Sequence, residues 1–175
     1  MQNTGIVRRI DELGRIVIPK ELRRSMRLHV GDELEIAMDG DFMTMKKYSE
    51  MEAMRHILED IALSLREFTE AEGFICDGNF VTLYEGRDKK RAEGQMITDE
   101  LVKVLRNGSY KLKEGVERIP LYEGDEMAWQ SQVISPVINQ GDVVGGLVLL
   151  TNHNGTSLVG YVNLCVKILS GLCTK

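Results

Sequence analysis

The sequence predicts two folded units in series: a small β-rich unit with one short helix over residues 1–48, and an α+β domain over residues 50–175. Three observations carry that division. Runs rich in Ile and Val and an Asp39-Gly40 turn signal fill the first 48 residues. Near residue 49 the apolar spacing becomes helical. Beyond it the order is helix, two strands, helix, strands, helix, which suits helices packed on an antiparallel sheet. A length of 175 residues accommodates two small domains.

Within the first unit, residues 5–11 and 14–18 read as short strands, with Leu13-Gly14 as the turn between them. Pro19 opens a helix, since its fixed φ suits the first turn and its missing N–H costs nothing there. Leu22 and Met26, four apart, are expected inward, with Arg23, Arg24 and Arg27 on the other sides. Val30-Gly31-Asp32 forms a turn. Residues 33–38 then alternate polar and apolar up to Asp39-Gly40, a two-residue hairpin signal, and the chain returns through Lys47. A two-residue Asp39-Gly40 loop would pair Met38 with Asp41, Ile36 with Met43 and Leu34 with Met45. A unit this small buries too little surface to be secure alone, so a dimer is expected on physical grounds.

The second unit opens with Met51, Met54, Leu58, Ile61, Leu65 and Phe68 at spacings 3, 4, 3, 4, 3, an amphipathic helix with an a/d seam. Strands are expected at Phe74–Asp77 and Phe80–Tyr84 around an Asp77-Gly78-Asn79 turn. A polar stretch, 85–95, precedes a helix that turns Ile97, Leu101, Val104 and Leu105 inward and closes at Asn107-Gly108. Residues 109–128 read as irregular, with a short strand near Arg118–Tyr122. Strands follow at 132–139 and 143–151. Leu147-Val148-Leu149-Leu150 is apolar on both faces, so that strand is expected to be central. The last helix carries Leu158, Val162, Cys165, Leu169 and Leu172 at spacings 4, 3, 4, 3. The plainer reading of both apolar seams is that they face their own core, but together they exceed what one small sheet needs. Met54, Leu58, Ile61, Leu65, Leu158, Val162, Cys165 and Leu169 are therefore expected to join subunits into a tetramer.

Charge separates the units. The chain has 22 basic and 27 acidic residues, net −5, yet residues 8–27 hold seven basic and three acidic side chains, net +4. Five of the six basic residues in positions 8–24 are arginines: Arg8, Arg9, Arg15, Arg23 and Arg24, with Lys20 the sixth. Arginine's planar fork suits phosphate and guanine contact, so a nucleic-acid backbone is the leading candidate partner. The plainer alternative is a solvated charged face in which Glu12 or Glu21 pairs with neighbouring arginines.

The run TGIVRRIDELGRIVIPKELRRSMRL, followed by GDELEI and MTMKKY, resembles the N-terminal domain of AbrB-type transition-state regulators of spore-forming bacteria. The resemblance covers residues 4–48. It implies a swapped-hairpin all-β barrel (AbrB-like) built by two interleaved chains, with DNA bound by Arg8, Arg15, Arg23 and Arg24, and with Arg9 as a further basic position. The pattern of residues 50–175 resembles a GAF domain. Together these imply a cytoplasmic transcriptional regulator of sporulation genes, with a C-terminal sensory and oligomerisation domain. The NKFDE signature of the cyclic-nucleotide class is not found. A small-molecule ligand is thus allowed but unspecified, and Trp129, Tyr122 and Tyr84 could line its pocket or fill the core.

Other functions are less well supported. The three cysteines, Cys76, Cys165 and Cys173, show no CxxC spacing and read as buried apolar residues rather than a disulfide framework, metal site or redox switch. The three histidines are scattered, so no metal and no cofactor are expected. No P-loop, GxSxG or paired acid marks an enzyme. Gly145-Gly146 reads as a bulge or close packing. No uninterrupted apolar run reaches the roughly 20 residues of a membrane span, so no membrane partner is expected. An antitoxin-like regulator that holds a protein partner through its C-terminal part remains the rival. Against it, residues 74–172 have the pattern of a complete core.

Overall fold

The computed structural model describes residues 5–109, 111–126 and 129–173, with the side chain of residue 116 excepted. Thr4, where the N-terminal motif begins, and parts of the irregular 109–128 stretch lie outside them. The chain divides into two compact units, Met1–Tyr48 and Ser49–Lys175.

The first unit contains helix α1 (Lys20–Ser25) and the antiparallel pair β1 (Leu34–Asp39) and β2 (Phe42–Lys47). Pro19 stands immediately before α1, and its carbonyl accepts the Arg23 N–H at 3.0 Å. The helix ends in a Schellman arrangement: Leu28 N–H donates to the Arg23 carbonyl (2.7 Å) and Arg27 N–H to the Arg24 carbonyl (3.2 Å). Arg27 takes the left-handed position at φ +50°, where glycine is the usual occupant.

The β1–β2 register is two residues away from expectation. Asp39 pairs with Phe42, Met38 with Met43 and Ile36 with Met45, so the two-residue loop is Gly40-Asp41. Gly40 at φ +59° occupies the first loop position, where a type II′ turn demands positive φ. Because the slip is even, Leu34, Ile36 and Met38 stay on one face.

Residues 5–18 depart more from the reading. They contain a hairpin tip, not two paired strands. Asp11 N–H donates to the Arg15 carbonyl and Gly14 N–H to the Asp11 carbonyl, both at 3.0 Å, and Gly14 sits at φ +76°. That is a three-residue Glu12-Leu13-Gly14 loop with glycine in the left-handed position. The limbs on either side form no ladder. Among the described residues several of their apolar side chains are largely uncovered: Val7 is 85% exposed, Ile10 65% and Val17 75%, whereas Ile18 is partly buried.

The second unit is a five-stranded antiparallel sheet of order β4-β3-β7-β6-β5, formed by β3 (Glu72–Asp77), β4 (Val81–Glu85), β5 (Lys111–Glu114), β6 (Ser131–Asn139) and β7 (Asp142–Thr151). The doubly apolar β7 is central. Helices α2 (Glu50–Ala53), α3 (Arg55–Thr69) and α6 (Val159–Leu172) cover one face. The short α4 (Lys89–Ala92) and α5 (Asp99–Arg106) cover the other. Alternation along the strands feeds both cores. Ile75, Val133, Leu147 and Leu149 enter the first, and Phe74, Ile134, Val148 and Leu150 the second.

Several local features differ from the reading. The helix expected across 51–68 breaks at Met54. The break lets Met51 bury fully and lets Arg55 reach the edge strand β4. There the Arg55 guanidinium donates to the Thr82 carbonyl and pairs with Glu93 at 2.9 Å. The polar stretch 85–95 contains α4, a strand forms at 111–114, and the Arg118–Tyr122 segment contributes only a bridge from Tyr122 to Ile97.

Gly145 and Gly146 are explained by both expected causes. The β6–β7 register shifts opposite them, between Val137 and Ile138. A Cβ on Gly145 would lie 2.4 Å from the Cys76 carbonyl oxygen and 2.8 Å from Met51 Cγ. One on Gly146 would lie 2.6 Å from Leu105 Cδ2. Backbone cannot yield as a leucine tip can. Gly145→Ala is therefore expected to destabilise the protein by about 1–3 kcal/mol, and Gly146→Ala by less. Urea unfolding followed by circular dichroism checks both the loss and the order.

Candidate nucleic-acid interface

Each candidate arginine sits on a defined local structure. Arg8 and Arg9 lie on the first limb, Arg15 at the end of the hairpin tip, and Arg23 and Arg24 on α1 with Lys20. All six side chains belong to exposed residues. α1 buries none of its residues fully, because only Leu22 packs inward, and that partly.

Asp11 organises the tip. Its Oδ1 accepts the backbone N–H of Leu13 (2.9 Å) and of Arg15 (2.8 Å), and its Oδ2 accepts Arg15 Nε at 2.8 Å. The Arg15 backbone N–H first, and its guanidinium second, hold the Asp11 carboxyl below its ordinary pKa. Arg8 makes only a long 3.5 Å bond to the adjacent Val7 carbonyl. Among the described residues, no carboxylate pairs with Arg8, Arg9, Arg23 or Arg24. Of the salt-linked face weighed as the alternative, Arg15–Asp11 is formed, while those four arginines have no such link to Glu12 or Glu21. Both lysines of β2 are paired: Lys46 with Glu35 across the hairpin (3.0 Å), and Lys47 with Asp32 (2.8 Å), which ties the hairpin to the turn before it.

Beside α1 lies a groove of about 360 Å³, with Val17, Ile18, Leu28 and Leu34 as apolar walls and Arg23, His29 and Asp32 among its lining. Ile36, Met38, Phe42 and Met43 of the β1–β2 pair are exposed as well.

The eight residues expected to join subunits are placed mainly inward. Leu58, Leu65, Leu158, Val162 and Leu169 are buried in the core of their own sheet, and Met54, Ile61 and Cys165 pack against it partly buried. A strict seven-residue repeat drifts by about 20° per heptad on a straight helix. The buried stripe of α3 is accordingly Leu58, Ala62 and Leu65, and Phe68 swings out to 79% exposure. Sequence spacing missed the other outward apolar residues: Leu63 on α3, and Tyr161, Leu164 and Ile168 on α6. Their signal was available in the composition of α6, whose fourteen residues carry a single charge, Lys167. Gly155–Leu172 has the length and the mean hydropathy, 1.3, of a membrane span, with 22% of it buried in its own fold.

In the C-terminal unit, Tyr84, Tyr122 and Trp129 are core residues. Phe74 meets Tyr84 edge-on at 6.2 Å and stacks on Tyr122 at 6.3 Å. Glu72 accepts from Tyr84 Oη (2.7 Å) and Arg87 Nε (2.9 Å), and Arg87 lies 4.7 Å over the Trp129 ring. Burial pushes all three cysteine thiols up, Cys173 to about 11 with Glu50 contributing, which disfavours the reactive thiolate. Among the described residues, no group of three His, Cys, Asp or Glu could hold a metal ion.

Comparison with known proteins assigns both units. Residues 53–175 match the family model described as stage V sporulation protein T C-terminal, transcription factor, and residues 7–52 match antidote-toxin recognition MazE, bacterial antitoxin. Stage V sporulation protein T of Bacillus subtilis is 34% identical over 152 residues, covering 86% of this chain and 85% of the relative. The transition state regulatory protein AbrB of the same organism is 54% identical over 48 residues, 27% of this chain and 50% of the relative. The first unit is thus AbrB-like. The GAF domain of a phosphoenolpyruvate-protein phosphotransferase from Coxiella burnetii aligns with a TM-score of 0.53 at 20% identity, over 69% of this chain and 80% of that one. At that identity the likeness shows the fold, and the second unit is GAF-like. The chain belongs to the stage V sporulation protein T family of transcription factors.

Proposed function

We propose that this chain is a cytoplasmic, DNA-binding regulator of sporulation genes. Two copies of its N-terminal unit interleave into a barrel that grips double-stranded DNA through Arg8, Arg9, Arg15, Arg23 and Arg24, with Lys20 beside them. The observation that carries the reading is the coincidence of two features on one small unit. Its candidate arginines are exposed, four of them with no carboxylate partner among the described residues, and its apolar limbs and groove lack cover. Burying Val7, Ile10 and Val17 against a second chain contributes on the order of 1.5–3 kcal/mol each. Repulsion between two exposed, salt-screened basic patches is about 1 kcal/mol per close pair in water. Apolar burial wins, and dimerisation doubles the arginine surface.

The GAF-like domain serves assembly and signal reception. Tyr161, Leu164 and Ile168 on α6, with Leu63 and Phe68 on α3, are the apolar residues left for a second copy; the partly buried Ile61 and Cys165 lie on the same helices, and Met54 at the break before α3. Joining dimers into a tetramer would raise DNA affinity through effective concentration without new base contacts. The match to an antitoxin family over residues 7–52 supports a second reading, in which the C-terminal part holds a protein partner. Residues 49–173 already form a complete two-core domain, unlike a tail that folds on its partner. A proteolysis-resistant C-terminal fragment supports the sensor reading, and rapid degradation supports the antitoxin-like one.

A dimer neutralising roughly 6–10 phosphates is expected to show a log–log salt slope of about −5 to −9 in fluorescence anisotropy. Arg23→Ala/Arg24→Ala is expected to weaken binding by about 1–3 kcal/mol per arginine with thermal stability unchanged. Normal affinity in that variant refutes the DNA assignment. Leu164→Asp/Ile168→Asp is expected to reduce a tetramer to a dimer in sedimentation while the far-ultraviolet spectrum is kept. A parent protein that never exceeds a dimer contradicts the assembly.

A further inference from the structure

We propose that Asp11 is a positioning residue for DNA readout: it grips Arg15 through Nε alone and presents both terminal nitrogens of the guanidinium to a single acceptor pair on the duplex. The inference rests on the DNA-binding reading of Arg15 and goes beyond it by assigning a role to an acidic residue.

Asp11 stands where its charge is least welcome. It lies within the stretch 8–27 of net +4, and a carboxylate beside a phosphate-facing surface repels the partner. The bonds it makes are specific. Oδ1 takes two backbone N–H groups of the tip, from Leu13 and Arg15, while Oδ2 takes only Arg15 Nε, at 2.8 Å. An arginine held at Nε keeps both Nη groups for another acceptor, and a bidentate contact to a guanine edge or a phosphate uses those groups. The Arg15 side chain is 72% exposed, so without this tether it would sample many rotamers and lose that freedom on binding. The tether has a rigid base. The Asp11–Arg15 backbone bond, the Gly14 turn bond and the two Oδ1 bonds close the tip onto itself.

Asp11→Asn separates positioning from folding. Its side-chain oxygen still accepts the Leu13 and Arg15 N–H groups, whereas its amide N–H₂ faces Arg15 Nε and cannot accept from it. The full-length protein, Asp11→Asn, Arg15→Ala and the double variant are titrated onto two duplexes. One is enriched from a random pool by the parent protein, and the other is a scrambled duplex of the same length and composition. Asp11→Asn is expected to bind the scrambled duplex as tightly or tighter, because a repulsive charge is gone. It is expected to lower the ratio of selected to scrambled affinity by about tenfold, and to change that ratio no further when Arg15 is already alanine. The Arg15 Nε–H nuclear magnetic resonance signal, protected in the free parent protein, is expected to broaden or exchange in Asp11→Asn with the tip amide shifts preserved. An unchanged ratio, an equal fall in the Arg15→Ala background, or tighter binding to both duplexes alike overturns the positioning role. Parent-like affinity in Arg15→Ala overturns the DNA contact itself, and the inference with it.

Discussion

The lack of cover for the apolar limbs of the N-terminal unit is the constraint on which the rest depends. Residues 5–10 and 15–18 carry Ile6, Val7, Ile10, Ile16 and Val17, with a tip that closes and sides that form no ladder among the described residues. A unit of fewer than 50 residues cannot bend back enough sheet to bury both a hairpin and two limbs. A second copy can, because the missing sheet edge and the groove by Val17, Ile18, Leu28 and Leu34 recur on it. The same limbs carry Arg8, Arg9 and Arg15. In the proposed dimer, closing the apolar surface and assembling the basic one are a single event, which would tie DNA affinity to dimer formation.

The C-terminal domain solves the opposite problem, since its sheet is covered on both faces. Its first helix is fixed to that core from its start. Ser49 caps α2 by accepting the Glu52 N–H at 3.1 Å, and Met51 seats over Gly145. Asn139 Nδ2 donates to both Glu50 carboxylate oxygens (3.0 Å) and to the Cys173 carbonyl (2.9 Å). The start of α2, the end of β6 and the end of α6 therefore share one hydrogen-bonded junction. Arg55 adds a tie around the sheet edge to Glu93, which also accepts the Tyr84 N–H at 3.0 Å.

What was legible in the sequence follows from the range of the forces involved. The central strand showed as Leu147–Leu150, apolar on both faces, and the turn glycines Gly14 and Gly40 marked their hairpins, because these signals are local. The β1–β2 loop was placed one position early: Asp39-Gly40 and Gly40-Asp41 both contain the glycine, and the turn type decides between them. The break at Met54 was hidden, since Met51 and Met54 fit a continuous helix and only the pocket over Gly145 asks for more. β5 has too little apolar content to announce itself, and it forms because β6 offers an edge. For the candidate interface, the five arginines proposed to meet DNA stand out in the sequence and are exposed, whereas the grip of Asp11 on Arg15 depends on a tip geometry that no spacing shows. The seam residues of α3 and α6, expected between subunits, lie mainly in the core, because both faces of those helices are apolar and periodicity alone cannot say which meets the sheet.

One measurement tests the central claim most directly. Full-length protein labelled with carbon-13 in its Ile and Val methyls is mixed with unlabelled protein, unfolded and refolded together, and examined by isotope-filtered nuclear Overhauser spectroscopy. The account predicts cross-peaks between labelled limb methyls, Val7, Ile10 or Val17, and unlabelled protons of another chain's β1–β2 pair. A spectrum in which every limb contact comes from the same chain would contradict it.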